Sequence, residues 1–402
     1  MEQAAVHLWL DRRQIRHVRR HRQRVPEAFT DQIPLADHQK AADYTVTHAR
    51  FAQYELLLES MLLLAWTLGG GLDLLDRTWR HLELPELITG VGVMLSAFAL
   101  MALLNLPVAL YRTFVIEERF GFNRTTPKLF FVDLLKRALF LLGLGIPLAT
   151  LVLWLIGNSG PLWWLLVWVA WLGFSLLMSW AYPVFIAPLF NNFRPLEDPD
   201  LRGRIEALLG RNGFSITGFF VMDGSLRSTH GNAYFTGFGK NKRVVFFDTL
   251  LKELEPAEVE SVLAHELGHF KCRHVFKRFV LLAGLSLVGL AVLAWLIEQA
   301  WFYHGLGVSQ PSVHTAIVLF VMIAPVVGVV LQPVLAALSR RHEFEADNFA
   351  AEQAHAGSLI RALVKLYRGN ARTLTPDPLY SAFHDSHPPA LVRVAQLVAK
   401  AG

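Results

Sequence analysis

The sequence is poor in charge. Asp, Glu, Lys and Arg make up 18% of its 402 residues, against about 25% in an ordinary soluble domain, which disfavours a wholly water-soluble fold. Cysteine is almost absent: the single Cys272 excludes an intrachain disulfide, and its thiol is expected to fill space rather than react. Internal repeats and low-complexity tracts are missing. So are zinc-finger spacings and aromatic–basic RNA signatures, so the net charge of +5 does not imply a nucleic-acid partner. No cleavable leader is expected, because MEQAAVHLWLDRRQIRHVRRHRQR turns basic before an apolar stretch can form.

What is abundant is apolar length. Apolar residues make up 53% of the chain, and runs near 53–73, 87–110, 138–156, 162–187, 278–298 and 315–337 each match a hydrocarbon core of about 30 Å. Six such runs cannot all hide inside one globule of this size. Eleven Trp and eight Tyr, several at the run ends (Trp79, Trp163, Trp180, Trp301), suit an interfacial belt. The lipid bilayer is therefore the first expected partner, and the expected fold is a mainly α, polytopic membrane protein.

Basic residues orient it. Seven arginines between Arg12 and Arg24 keep the N-terminal segment 1–52 cytoplasmic, and the basic loop 111–137 within the four spans of 53–187 returns to that side. The large polar segments 188–277 and 338–402, separated by the two spans of 278–337, then face the cytoplasm as well. Segment 188–277 reads as a helix, a Gly turn, a strand, and a hairpin around Gly239-Lys240-Asn241-Lys242. A helix opening near Pro256 follows and runs toward the fifth span.

That helix carries HELGH. His265 and His269 are four residues apart and project from one helix face, so both imidazoles can reach one cation. Glu266 lies about 100° around the helix, where a general base for an activated water must stand. Zinc, one ion, is the natural metal: it binds imidazole well and lowers the pKa of water to about 7. A third ligand is required, and SRRHEFEADNFAAEQ after the sixth span supplies Glu343, with Asp347 four residues on as a partner for the outer N–H of a ligating histidine. Taken alone, Glu343 reads as an ordinary surface glutamate; the pairing with HELGH lifts it. Glu345 is expected to point away as a solvated or structural carboxylate, His274 to be interfacial, and His304 and His314 to be incidental.

YRTFVIEERFGFNRTT, PVFIAPLFNNFRPLED, GNAYFTGFGKNKRVVFFDTLL, VLAHELGHFK, SRRHEFEADNFA and SHPPALVRV together resemble the type I CAAX prenyl endopeptidases, integral-membrane zinc metallopeptidases. The resemblance runs from about residue 12 to the C-terminus. It implies a helical barrel around a water-filled chamber, closed on the cytoplasmic side by a zincin-like α+β catalytic domain. It also implies cleavage near a prenylated C-terminus, in an inner bacterial membrane or an endoplasmic reticulum. Residue by residue it makes His265, His269 and Glu343 ligands, Glu266 the base, and Asn232 part of an edge strand that binds an extended peptide or protein substrate. His387 would stabilise an oxyanion, although Ser386-His387-Pro388 also reads as a helix start. Arg393 would be near the substrate, or packed against a carboxylate. The resemblance implies seven membrane helices where the sequence offers six. Other readings are a quality-control protease like the HtpX-type relatives, a site-2 type intramembrane protease, and a non-catalytic scaffold or metal transporter. The sixth span carries no acid, against the site-2 type, and the spans hold almost no ionisable residue after Glu59, against a transporter.

Overall fold

The computed structural model describes residues 2–214, 218–236 and 243–401. Helix α1 (Glu2–His21) carries the basic segment and buries Leu10, Gln14 and Val18, with Val18 packing on Ala42 and Val46 of α2 (Leu35–Trp66). The first expected span does not stay straight. Helix α2 stops at Trp66, the triplet Gly69–Gly71 turns the chain, and α3 (Gly71–Arg80) leaves at 46°. Gly70 sits at φ 73°, and a Cβ on Gly69 would stand 2.7 Å from the Ala65 carbonyl oxygen, so only glycine fits this corner. Five described helices are long and apolar enough to cross a membrane, or six if the bent pair counts as one span. The expected six runs thus become five plus a broken one.

Next come α4 (Glu86–Tyr111), which ends in a π-helical turn at Arg112–Glu117, and α5 (Pro127–Asn158). Helix α6 (Trp163–Ala181), a second π-helical turn at Tyr182–Ile186 and the short α7 (Ala187–Phe190) complete the first half. Leu135, Leu139, Leu141, Trp154, Val169 and Leu177 on α5 and α6 lie exposed, as lipid-facing side chains must be. The chain is a mainly α, multi-pass integral membrane protein.

The second half is built around a small sheet. Strands β1 (Phe193–Pro195), β2 (Gly218–Met222), β3 (Ala233–Thr236) and β4 (Arg243–Phe247) lie in the order β1-β2-β4-β3. Strand β4 is parallel to β2 and antiparallel to β3, with Ala233 opposite Phe246, so β3 is an edge. The expected turn at Gly239–Lys242 lies outside the described residues. Helix α8 (Pro199–Arg211) and Gly213 at φ 72° precede β2. Behind the sheet, Ile205, Leu208, Val244, Phe246, Leu250 and Leu263 form a fully buried core.

Helices α9 (Asp248–Glu253) and α10 (Pro256–Lys271) follow, the latter opened by a capping box between Glu255 and Glu258. The helix does not run unbroken into the fifth span. Arg273 adopts φ 57°, a left-handed residue that ends α10 and starts α11 (His274–Ile297) on a new axis. Helix α12 (Ala300–His304) and α13 (Val313–Gly328) lead into α14 (Gln332–Gln353), which continues the last span into the polar region. Helices α15 (Ala356–Gly369), α16 (Pro378–His384) and α17 (Ala390–Ala401) close the chain. His314 is not incidental: it is buried on α13, with Nε2 2.6 Å from Asp76 Oδ1 of α3.

Candidate metal centre

Among the described residues, helices α10 and α14 make the most extensive helix–helix contact, and the reason lies inside HELGH. A Cβ on Gly268 would stand 2.9 Å from Ala346 Cα and 3.1 Å from its carbonyl oxygen. The glycine lets two backbones approach where any side chain would hold them apart. That approach brings His265, His269 and Glu343 together.

The three donor groups form a near-regular triangle. His265 Nε2 and His269 Nε2 are 3.3 Å apart, His265 Nε2 is 3.4 Å from Glu343 Oε2, and His269 Nε2 is 3.4 Å from Glu343 Oε1. A tetrahedral cation with bonds of about 2.0–2.1 Å has ligand–ligand edges of about 3.3 Å, so the set fits zinc. The chemistry agrees. His387 Nδ1 comes within 2.7 Å of Glu343 Oε2 without the alignment of a hydrogen bond, leaving a buried carboxylate oxygen with no donor, and such an atom demands a partner. Burial alone would lower the His265 pKa, but the Asp347 and Glu343 carboxylates outweigh it and push it up to about 9. The pocket favours positive charge.

Each imidazole is held from behind. His265 Nδ1 is 2.8 Å from Asp347 Oδ1, an ion-pair contact rather than an aligned hydrogen bond, and the negative carboxylate there favours the proton on Nδ1, which leaves Nε2 to face the cation site. Arg393, only 6% exposed on α17, forks onto the same Asp347 carboxylate, with its Nε donating to Oδ2 at 2.8 Å. Its guanidinium therefore engages the carboxylate, the second of its two expected placements.

His269 is supported by a relay that sequence reasoning missed. His269 Nδ1 lies 2.9 Å from His274 Nδ1, and His274 Nε2 lies 3.0 Å from Glu345 Oε2. The carboxylate accepts a hydrogen bond from His274 Nε2–H, so His274 Nδ1 accepts from His269 Nδ1–H and His269 Nε2 faces the cation site. His274 is buried rather than interfacial and stacks on His342 at 4.1 Å. Glu345 is its structural partner. A continuous helix would carry His274 away from His269; the left-handed Arg273 swings it back, and no sequence signal announces that.

Glu266 is half-buried beside the two histidines, and burial raises its carboxyl above the usual range while His265 and His269 pull it back. His387 sits in the loop ahead of α17, whose first amides bond to the Pro389 carbonyl. Its Nδ1 faces Glu343, which leaves Nε2 for another partner. Asn232 is exposed immediately before β3, and its carbonyl accepts from Phe247 N–H. Strand β3 leans on α10 through Phe235, whose ring centroid is 5.3 Å from that of Phe270.

Two family models match end to end. The CAAX prenyl protease N-terminal model, described as five membrane helices, matches residues 14–192, and peptidase family M48 matches residues 195–401. The CAAX prenyl protease 1 homolog of Dictyostelium discoideum is 34% identical over 382 residues, covering 92% of this chain and 88% of that one. The CAAX prenyl protease 1 of Saccharomyces cerevisiae is 30% identical over 408 residues, covering 93% and 88%. The crystal structure of S. mikatae Ste24p superposes with a TM-score of 0.92 at 28% identity, covering 98% of this chain and 96% of that one.

Proposed function

We propose, for a chain that belongs to peptidase family M48 and is a membrane-embedded metalloendopeptidase, that a single zinc ion held by His265, His269 and Glu343 serves hydrolysis of an extended peptide. The observation that carries the assignment is the close approach of the three donor groups: the two Nε2 atoms are 3.3 Å apart and each lies 3.4 Å from its own oxygen of the Glu343 carboxylate, spacings that suit a tetrahedral ion. Zinc in this site supplies a Lewis acid and a water acidic enough to ionise near neutral pH.

The protein's own residues do the rest. Glu266 takes the proton of the attacking water and returns it to the leaving amine, for which a carboxyl raised by burial is suited. His387 Nε2 stabilises the oxyanion. Asp347, clamped by Arg393, and the His274–Glu345 pair fix the orientation of the two histidines. The edge strand β3, entered at Asn232, accepts the substrate as an added strand, which aligns a main chain without reading its side chains.

The substrate is a peptide or protein, and we assign a prenylated C-terminus as its class because the named relatives are CAAX prenyl proteases. A chamber enclosed by the membrane helices would receive it. The catalytic segments are assigned to the cytoplasmic side: the arginine-rich α1 is tied to the C-terminal segment by Arg13, which donates to both oxygens of Asp377 at 3.2 and 3.0 Å, so one orientation serves both. The test compares a farnesylated CAAX peptide with an unmodified membrane-protein fragment on enzyme of measured zinc content. Cleavage of the first at one zinc per chain supports the reading. Cleavage of the fragment alone replaces the substrate class, and turnover without any bound metal overturns the mechanism.

A further inference from the structure

The motif IEERFGFN, residues 116–123, lies outside the metal centre, in the membrane half of the chain. It begins where the π-helical turn ends, and such turns often mark functional sites. One set of its contacts reaches α2, through Tyr44 and His48, and the other reaches the chain that enters β3. Phe122 is 3% exposed and its ring lies on the His230 ring at 4.4 Å, nearly parallel. Phe122 O accepts from Thr229 N–H at 3.2 Å, Arg124 N–H donates to Arg227 O at 3.1 Å, and Asn123 forms an antiparallel bridge with Ser228. Glu117 accepts from Tyr44 O–H at 2.9 Å and contacts His48 Nε2 at 3.0 Å on one oxygen, and reaches His230 Nε2 at 3.8 Å with the other.

The same short stretch is gripped elsewhere. Arg227 forks onto Asp133 of α5 at 2.8 and 3.1 Å. On its other side, Asn370 Oδ1 lies 3.1 Å from His230 Nδ1 and accepts from Gly231 N–H at 3.2 Å. Asn232 and β3 begin one residue later. Among the described residues strand β3 has four residues and one neighbour, β4, a short ladder to hold its position. In any strand pairing a slip of one residue turns every side chain to the opposite face.

We propose that Glu117 and Phe122 are positioning residues which, through His230, fix where the edge strand β3 stands and hence which peptide bond of an added substrate strand meets the metal centre. This rests on the strand-addition reading above and adds to it the source of register: the membrane half of the molecule sets the cleavage position chosen in the other half. A purely structural tie would affect yield and stability, whereas a register device controls the choice of bond.

The experiment uses full-length enzyme in detergent and the peptide that wild type cleaves, farnesylated or unmodified. Glu117→Gln and His230→Gln, at unchanged zinc content, are expected to raise KM about tenfold and to give products cut at more than one bond by mass spectrometry. The double variant should be no worse than either single one, because both act through one contact. A single unshifted cut and unchanged KM in both variants overturn the proposal. Should Glu117→Gln fail to fold, Tyr44→Phe, which removes one of its donors, carries the same test with the same two outcomes. Backbone N-methylation of the peptide separates the readings: if wild-type KM does not respond to it, strand addition itself is wrong, whatever the variants do.

Discussion

Gly268 faces Ala346 across the α10–α14 contact so closely that a single added carbon would sit 2.9 Å from the Ala346 Cα. Glycine at the fourth position of HELGH is therefore a packing requirement, and the metal centre depends on it. Replacing it with alanine forces α14 outward, an overpacking cost of about 1–3 kcal/mol, and moves Glu343 off the triangle. Gly268→Ala is expected to lose zinc to a mild chelator that leaves wild type loaded, as read by elemental analysis after dialysis. Retention of zinc at the wild-type level counts against this account of the contact.

Glu266 touches no ligand atom needed to hold the cation, so its roles separate from theirs. Glu266→Gln keeps the size and removes the base. Zinc content should stay at one per chain while turnover falls by about 10²–10⁴-fold, the usual worth of general acid–base catalysis. Substantial residual turnover in a preparation free of host proteases refutes the base assignment.

The His274–Glu345 pair acts on the metal through His269. His274→Ala removes the acceptor for His269 Nδ1–H, and Glu345→Gln loosens the ring that provides it. Partners of this kind are worth about 10–100-fold in metal affinity, so both variants should bind zinc more weakly in competition with a chromophoric chelator, His274→Ala the more. Equal affinity in all three proteins would mean the relay is only packing.

How much of this site the sequence discloses depends on how local each relation is. His265 with His269 and Glu343 with Asp347 are both four apart, and helix periodicity alone puts each pair on one face. The meeting of the two helices is legible only through the requirement for a third ligand. His274 and Glu345 are hidden, because their contact depends on the left-handed Arg273, and a non-glycine residue gives no warning of that conformation. The bend in the first span is hidden for a related reason: hydropathy averages over Gly69–Gly71, where the backbone turns. The second half of the fold is clearer, since Gly213 and the two flanking β-rich runs mark the helix, turn and strands in order.

Arg393 and Asp347 form a buried pair in which each carries the other's charge. Removing one partner leaves an uncompensated ion, at a cost of about 3–5 kcal/mol. Arg393→Ala should therefore lower the melting temperature markedly. The paired replacement Arg393→Met with Asp347→Leu should recover most of that loss, because packed apolar groups substitute well for a buried ion pair. It should not recover zinc affinity, since His265 then lacks the carboxylate at its Nδ1. Recovery of both would mean that Asp347 serves stability alone.

Asp11 gives a stability effect with a definite sign. It is 5% exposed on α1, and burial raises its carboxyl from 3.8 to about 6. Between those values the folded protein holds a proton that the unfolded chain has released, so the number bound is larger in the folded state and stability falls as pH rises through this window. Above about pH 6 the cost is fully present and constant, and below about pH 4 it vanishes because both states are protonated. Asp11→Asn mimics the protonated form at every pH. Its melting temperature in detergent should exceed that of wild type at pH 7 and converge with it at pH 4, the difference growing across the interval. A constant offset at all pH values would show that the substitution acts through packing against α16 and not through the buried charge.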